Sequence, residues 1–396
     1  MNIRIAALTA LVCCLPAIQA QTAAKSMSIY FIDVEGGLAS LYVSPSGESM
    51  LLDTGNPGDR DVDRIMAAIG DAGLKQIDYM VLTHYHVDHV GGFEALSKRI
   101  PMKHFIDHGP SKDTREQVAG FQAMYAAMME KAGPGLHTVV KPGDKIPIKG
   151  LNVEVVTSAG EVIKKPMAGP GAGKPNPACA SYKKQEENTD LDNAQSVGLV
   201  FEYGKFRTIN LGDFVYNLEG NLMCPNNPIG TIDLYLTSHH GTDQSGSAVL
   251  VHPLQPRVAV MTNGTRKGGT SPVYQVLHTS PGLEDLWQLH YSYTGGLENN
   301  TAGVYIANVE DPATLGNSLA NPAPAVGGGA RGGSGGGGFG AGRGQFAGGA
   351  SGGRGGGRGG GHIGPAFWIK VTAQADGSFT VLNSRNGFSK TYAARK

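Results

Sequence analysis

The sequence predicts an α/β fold of mixed strands and helices in which loops at strand ends carry the chemistry. Three observations point to it. Short apolar strand patterns bounded by turn residues alternate with stretches of helical spacing. The buried-strand run IDYMVLTH ends directly in a cluster of histidines, and the run at 233–237 ends the same way, at His239 and His240. Taken in order, the chain from residue 26 reads strand, turn, strand, as SMSIYFIDV, GLASLYVSP and SMLLDTG. Residues 61–72 set Val62, Ile65, Met66 and Ile69 at helical spacing ahead of Gly73, and 116–131 does the same with Val118, Phe121, Met124, Tyr125 and Met128. Strand pairs are predicted at 145–157 and 196–210, the second turning at Gly204, and a further strand at 259–262 precedes an irregular stretch. The segment AFWIKVTAQADGSFTVLNSRNG predicts a closing hairpin that turns at Asp376-Gly377.

A chain of 396 residues can bury a large core. Its 33 basic and 33 acidic residues cancel, so no global charge steers it toward nucleic acid or an anionic membrane. Residues 1–24 predict an export signal: Arg4, an almost wholly apolar run from Ile5 to Ile18, then small residues at Ala20, Ala23 and Ala24. The run is too short for a retained membrane span, so cleavage and a secreted or periplasmic protein are expected, with no membrane contact afterwards. Residues 25–396 then form a single domain. Cys179 and Cys224 remain, a pair that an oxidising compartment would allow to bond; spacing leaves their pairing open and argues against a metal–thiolate site. Two stretches look inserted. Residues 166–188, rich in Gly, Pro, Lys and Ala, predict a surface loop. Residues 327–364 hold 23 glycines and four arginines with no acidic residue, too little apolar surface to offset ordering entropy, and predict a disordered Gly/Arg-rich insertion.

The densest chemistry lies in T-H-Y-H-V-D-H-V-G-G, where His84, His86, Asp88 and His89 fall within six residues just after a buried strand. Imidazole nitrogen and carboxylate oxygen suit zinc, iron or manganese. In a turn rather than a helix, successive side chains diverge and can serve two ions.

HYHVDH is similar to the HxHxDH signature of the metallo-β-lactamase fold, and the surrounding order resembles its ComEC-like branch, the soluble domain of the DNA-uptake protein and its relatives. YFIDVEGG, LLDTG, DNAQSVGLVFEYGKFRTINLGD and LYLTSHHGTDQSGS follow in that branch's order. The resemblance implies an αβ/βα four-layer sandwich of two mixed sheets with outer helices. It implies that His84 and His86 hold a first metal, that Asp88 and His89 hold a second, and that Asp213 bridges both. One of His239 and His240 completes the second site, with His239, the first after the strand, preferred. Two divalent ions, zinc foremost with manganese as the alternative, would share a hydroxide that serves as nucleophile, and Asp88 would help to orient it. Asp53 is expected to organise the site through hydrogen bonds. At the third position of the first site stand Asn193 and Ser196, weak ligands or outer partners, where many members of the wider fold place histidine. A late histidine of the branch is also missing, with Thr270-Ser271-Pro272 in its place. Arg266, Lys267 and His290 are the candidate substrate contacts.

The expected activity is metal-dependent hydrolysis of a phosphodiester, in a small molecule, an envelope component or nucleic acid. A lactone or ester hydrolase is the alternative within the fold. The missing third histidine argues against a zinc β-lactamase, as does the absence of a cysteine in LGD. A rival of another class is a protein that binds nucleic acid or polymer on a degenerate hydrolase scaffold, through Arg331, Arg343, Arg354 and Arg358 of the glycine tract.

Overall fold

A computed structural model describes residues 25–186, 190–309 and 366–396; the expected signal segment and glycine-rich tract lie outside them. Two mixed sheets pack face to face with helices on both outer sides, as the sequence predicts. The first sheet runs, edge to edge, through Ser389–Tyr392, Phe379–Asn383, Ile369–Ala373, Met27–Phe31, Ser40–Val43, Ser49–Leu52, Ile77–Val81, Met102–Asp107 and His137–Val139. The second runs through Ile306–Asn308, Asp285–His290, Val258–Met261, Leu234–Leu236, Phe206–Asn210, Gly198–Tyr203, Asn152–Ser158 and Lys145–Ile146, and Glu161–Val162 also pairs with Asn152–Ser158.

Period-two alternation decides which side chain enters which layer. Met27, Ile29 and Phe31 enter the core between the sheets, with Val155, Phe201, Leu234 and Trp287. Tyr30 and Ile32 face the other way, into a layer closed by Val62, Ile65 and Ile69 of the helix Asp59–Asp71 and by Val118, Tyr125 and Met129 of the helix Glu116–Ala132. The first of these helices starts with Asp59 and Asp61, carboxylates that favour a helix N-terminus. It gives way to Gly73, whose φ of +70° is a conformation glycine takes without strain.

Both sheets contain a parallel block. Ser49–Leu52, Ile77–Val81 and Met102–Asp107 run together, as do Phe206–Asn210, Leu234–Leu236, Val258–Met261 and Asp285–His290. Loops leaving the C-terminal ends of these strands carry the residues of the next subsection.

Three helices, Tyr216–Met223, Ala248–Leu254 and Ser271–His278, stand where the sequence predicts no helix. At seven or eight residues each is too short for a 3.6-residue period to show. Within the expected surface loop, the described part is anchored. Cys179 and Cys224 form a disulfide. Asn176 Nδ2 donates to the carbonyls of Met223 (3.1 Å) and Val249 (2.9 Å), and Tyr182 stacks on Tyr216. The predicted hairpin is present, with Ser389–Tyr392 added beside it. Asn308 and Phe367 bond to each other twice, Asn308 Nδ2 to the Phe367 carbonyl and Phe367 N–H to Asn308 Oδ1, both at 2.9 Å.

Candidate metal centre

The strand Ile77–Val81 delivers Thr83 and His84, and Ser49–Leu52 beside it delivers Asp53. Asp53 has a left-handed φ of +60°, a strained state for a non-glycine residue that aims its carboxylate across the strand ends. Its Oδ1 accepts from Thr83 N–H (2.8 Å), and its Oδ2 accepts from Thr83 Oγ1 (2.5 Å) and pairs with His89 Nδ1 (2.7 Å). That leaves His89 Nε2 facing Asp213 Oδ2, 3.2 Å away. Asp88 and His89 themselves sit in one short helical turn, Val87–Val90, and not in the open turn expected. Gly37 lets the first loop lie directly against this turn: a Cβ there would strike the Asp88 carbonyl, to which Leu38 N–H donates at 3.2 Å.

From the second sheet, Phe206–Asn210 leads to Asp213 and Leu234–Leu236 leads to His239 and His240. Both histidines are left-handed, with φ of +51° and +56°, which turns both rings inward. Asp213 Oδ2 lies 3.2 Å from His89 Nε2, 3.3 Å from His240 Nε2, 3.5 Å from His239 Nε2 and 3.9 Å from His84 Nε2. Asp88, His89, Asp213 and His240 thus form one group of potential metal ligands, and His84, His86 and Asp192 a second. Asp213 lies between them.

Of the histidine pair, it is His240 Nε2 and not that of the preferred His239 that also approaches Asp88 Oδ2 (3.4 Å) and His89 Nε2 (3.3 Å). Beside His84 and His86 the third potential ligand is Asp192, one residue before the expected Asn193. It is fully buried, and it accepts from Tyr85 N–H and Ser111 Oγ. Asn193 Oδ1 and Ser196 Oγ are buried in the same turn without a hydrogen-bond partner among the described residues. His290, a candidate substrate contact, lies in the interior. It is 1% exposed and its Nε2 meets Asp33 Oδ1 at 2.6 Å, next to Glu35 and Thr265. Arg266 lies over the Tyr293 ring, and Lys267 Nζ bonds Asp88 Oδ2.

The electrostatics suit a cation. Burial alone would lower the His89 imidazole, but Asp213, Asp88 and Asp53 hold it well above its ordinary range. Burial would raise Asp88, yet Lys267 and His89 keep its carboxyl well below the usual range. Buried carboxylates at this density require a compensating positive charge, and Asp213 Oδ1, buried with no hydrogen-bond partner among the described residues, still offers a lone pair. The donor set fits a divalent ion in each group.

Behind the centre, Glu219 of the helix after Asp213 braces the loop after His240, accepting from Gly246 N–H (2.7 Å) and Ser247 N–H (2.9 Å). Burial pushes its carboxyl up to about 7, against those hydrogen bonds. The fold therefore favours the protonated form. That stability is fully present below the ordinary value near 4.5 and is lost as pH rises toward 7. Urea unfolding between pH 4.5 and 7.5 should therefore lose less stability in Glu219→Gln than in the wild type, and an unchanged slope would refute the assignment.

Residues 32–173 match the Metallo-beta-lactamase superfamily. Over those residues, about a third of the chain, it is similar to a metallo-beta-lactamase superfamily domain. ComE operon protein 3 of Bacillus subtilis (strain 168) is 28% identical over 208 residues, which are 52% of this chain and 22% of that protein. The chain thus spans about a fifth of the length of this curated relative. Among solved structures, the metallo-beta-lactamase fold protein YhfI from Bacillus subtilis is 9% identical with a TM-score of 0.39, covering 66% of this chain and 95% of its own. A diphosphatase from the PhnP family is 13% identical with a TM-score of 0.36, covering 65% and 94%. CmlA, a diiron beta-hydroxylase from Streptomyces venezuelae, is 14% identical with a TM-score of 0.36, covering 62% and 46%. The metallo-beta-lactamase resemblance read from HYHVDH is therefore borne out. No helix among the described residues is long and apolar enough to cross a membrane.

Proposed function

We propose that this chain is an exported, two-metal hydrolase of phosphodiesters. The observation that carries the reading is the pair of ligand groups joined at Asp213, with the Lys267 ammonium beside them. His84, His86 and Asp192 would hold one ion, Asp88, His89 and His240 the other, and Asp213 would serve both; zinc is proposed, with manganese as the alternative. When bound, the ions would acidify a water molecule and stabilise charge developing on the substrate. The chain's own groups do the rest. Asp53 fixes His89. Asp88 orients the attacking water by accepting its hydrogen bond. Lys267, held by Asp88 at 30% exposure, presents its ammonium to an anionic oxygen of the substrate. Export is supported by the apolar, small-residue N-terminal sequence and by the Cys179–Cys224 disulfide, a bond typical of oxidising compartments.

The test is metal analysis of the purified protein and a substrate panel of bis-p-nitrophenyl phosphate, a lactone, a β-lactam and single-stranded DNA, with zinc and with manganese. Turnover of the phosphodiester is expected. Lys267→Ala should lower its kcat/KM by about 10–100-fold and leave an uncharged ester far less affected. A protein without metal and without turnover would sink the proposal, and turnover confined to the lactone would replace it with the ester hydrolase.

A further inference from the structure

His86 presents different neighbours to its two ring nitrogens. Nδ1 points toward His84, 3.0 Å from His84 Nε2, while Nε2 points outward, 3.1 Å from Asp190 Oδ1. A histidine ligates through Nδ1 only when that nitrogen keeps its lone pair, so the proton must sit on Nε2. A carboxylate at the outer nitrogen fixes that tautomer. Asp190 is itself held, accepting from Arg115 Nη2 at 2.9 Å and from Asn193 N–H at 3.4 Å. Arg115, which also bonds Asp113, lies against the same His86 Nε2. From there it can donate only to a lone pair, which would move the imidazole proton to Nδ1, between His86 and His84. The two neighbours favour opposite tautomers. A separate cation held by His86, Asp113 and Asp190 is disfavoured, because the Arg115 guanidinium already lies among them.

Resting on the two-metal reading above, we propose that Asp190 is a positioning residue that holds His86 in its Nε2-protonated tautomer and thereby sets the affinity of the His84–His86–Asp192 group for its ion. Asp190 acts through His86 and is not itself a ligand. Its side chain is 22% exposed, so truncation leaves no large cavity.

The experiment compares wild type, Asp190→Ala, Asp190→Asn and Arg115→Ala by chelator competition with zinc, and reads the His86 tautomer from imidazole ¹⁵N shifts of the metal-free protein. Asp190→Ala should weaken one of two ions by about 10–100-fold and leave the other unchanged. Asp190→Asn keeps an acceptor oxygen and should fall between, and it decides the matter should the alanine variant fail to fold. Arg115→Ala should hold the wild-type affinity or tighten it. Unchanged affinity in Asp190→Ala, equal loss of both ions, or loss in Arg115→Ala overturns the proposal. A wild type that binds no zinc refutes the two-metal reading instead, and the ¹⁵N shifts then judge Asp190 alone: an unchanged His86 tautomer in Asp190→Ala overturns its role.

Discussion

Asp213→Ala should reduce metal-dependent phosphodiester turnover by at least about 10³-fold, or about 4 kcal/mol of transition-state stabilisation. Oδ2 of this residue lies within 3.5 Å of His89, His240 and His239 nitrogens, and its side chain is the link between the two ligand groups. On the proposed reading it serves both ions, so its loss would remove a ligand from each. The same change should erase metal-dependent stability. With zinc a thousandfold above Kd, the wild type should gain about 4 kcal/mol over the chelated protein, and Asp213→Ala should show almost no difference between the two conditions. Thermal unfolding with and without chelator measures this independently of any substrate. A variant that keeps both ions and its turnover would show that Asp213 is not shared.

Trp287→Ala should cost about 3–5 kcal/mol. The indole is fully buried between the sheets, edge-on to Tyr305 at 4.9 Å and 5.7 Å from Phe388. Its Nε1–H donates to Tyr392 Oη at 3.0 Å, and that hydroxyl donates to Asp285 Oδ2 at 2.7 Å. Trp287 therefore ties a strand of the second sheet to the closing strands of the first. The loss should appear as a lower urea midpoint at an unchanged m-value. Trp287→Phe keeps much of the packing but leaves Tyr392 without its donor, and should cost about 1–2 kcal/mol. A cost below about 1 kcal/mol for the alanine variant would contradict the packing.

What could be read from the chain was what is local. His84, His86, Asp88 and His89 lie within six residues, so their clustering shows without a fold. The strands show because Val, Ile and Leu alternate or run together over four to seven residues. Asp213 and the histidine pair were legible only through the order of motifs. The choice of His240 over His239 was not legible, since it depends on two successive left-handed residues that spacing does not encode. Asp192 escaped by one position, because in the short turn Asn193–Gln195 no period dictates which side chain points inward. The pairing of His290 with Asp33 spans 257 residues, and that of Asp190 with Arg115 spans 75. Such partners are set by strand register across the whole sandwich.

The two bonds between Asn308 and Phe367 bring the flanks of residues 310–365 together as closely as the base of a short loop. Chain closure depends only logarithmically on contour length, so halving the length between two such points changes closure by about 0.6 kcal/mol. A flexible connection of any length between these two points would therefore leave both sheets almost equally stable. That clasp makes the junction a place where sequence can be added, removed or exchanged with little thermodynamic trace in either sheet.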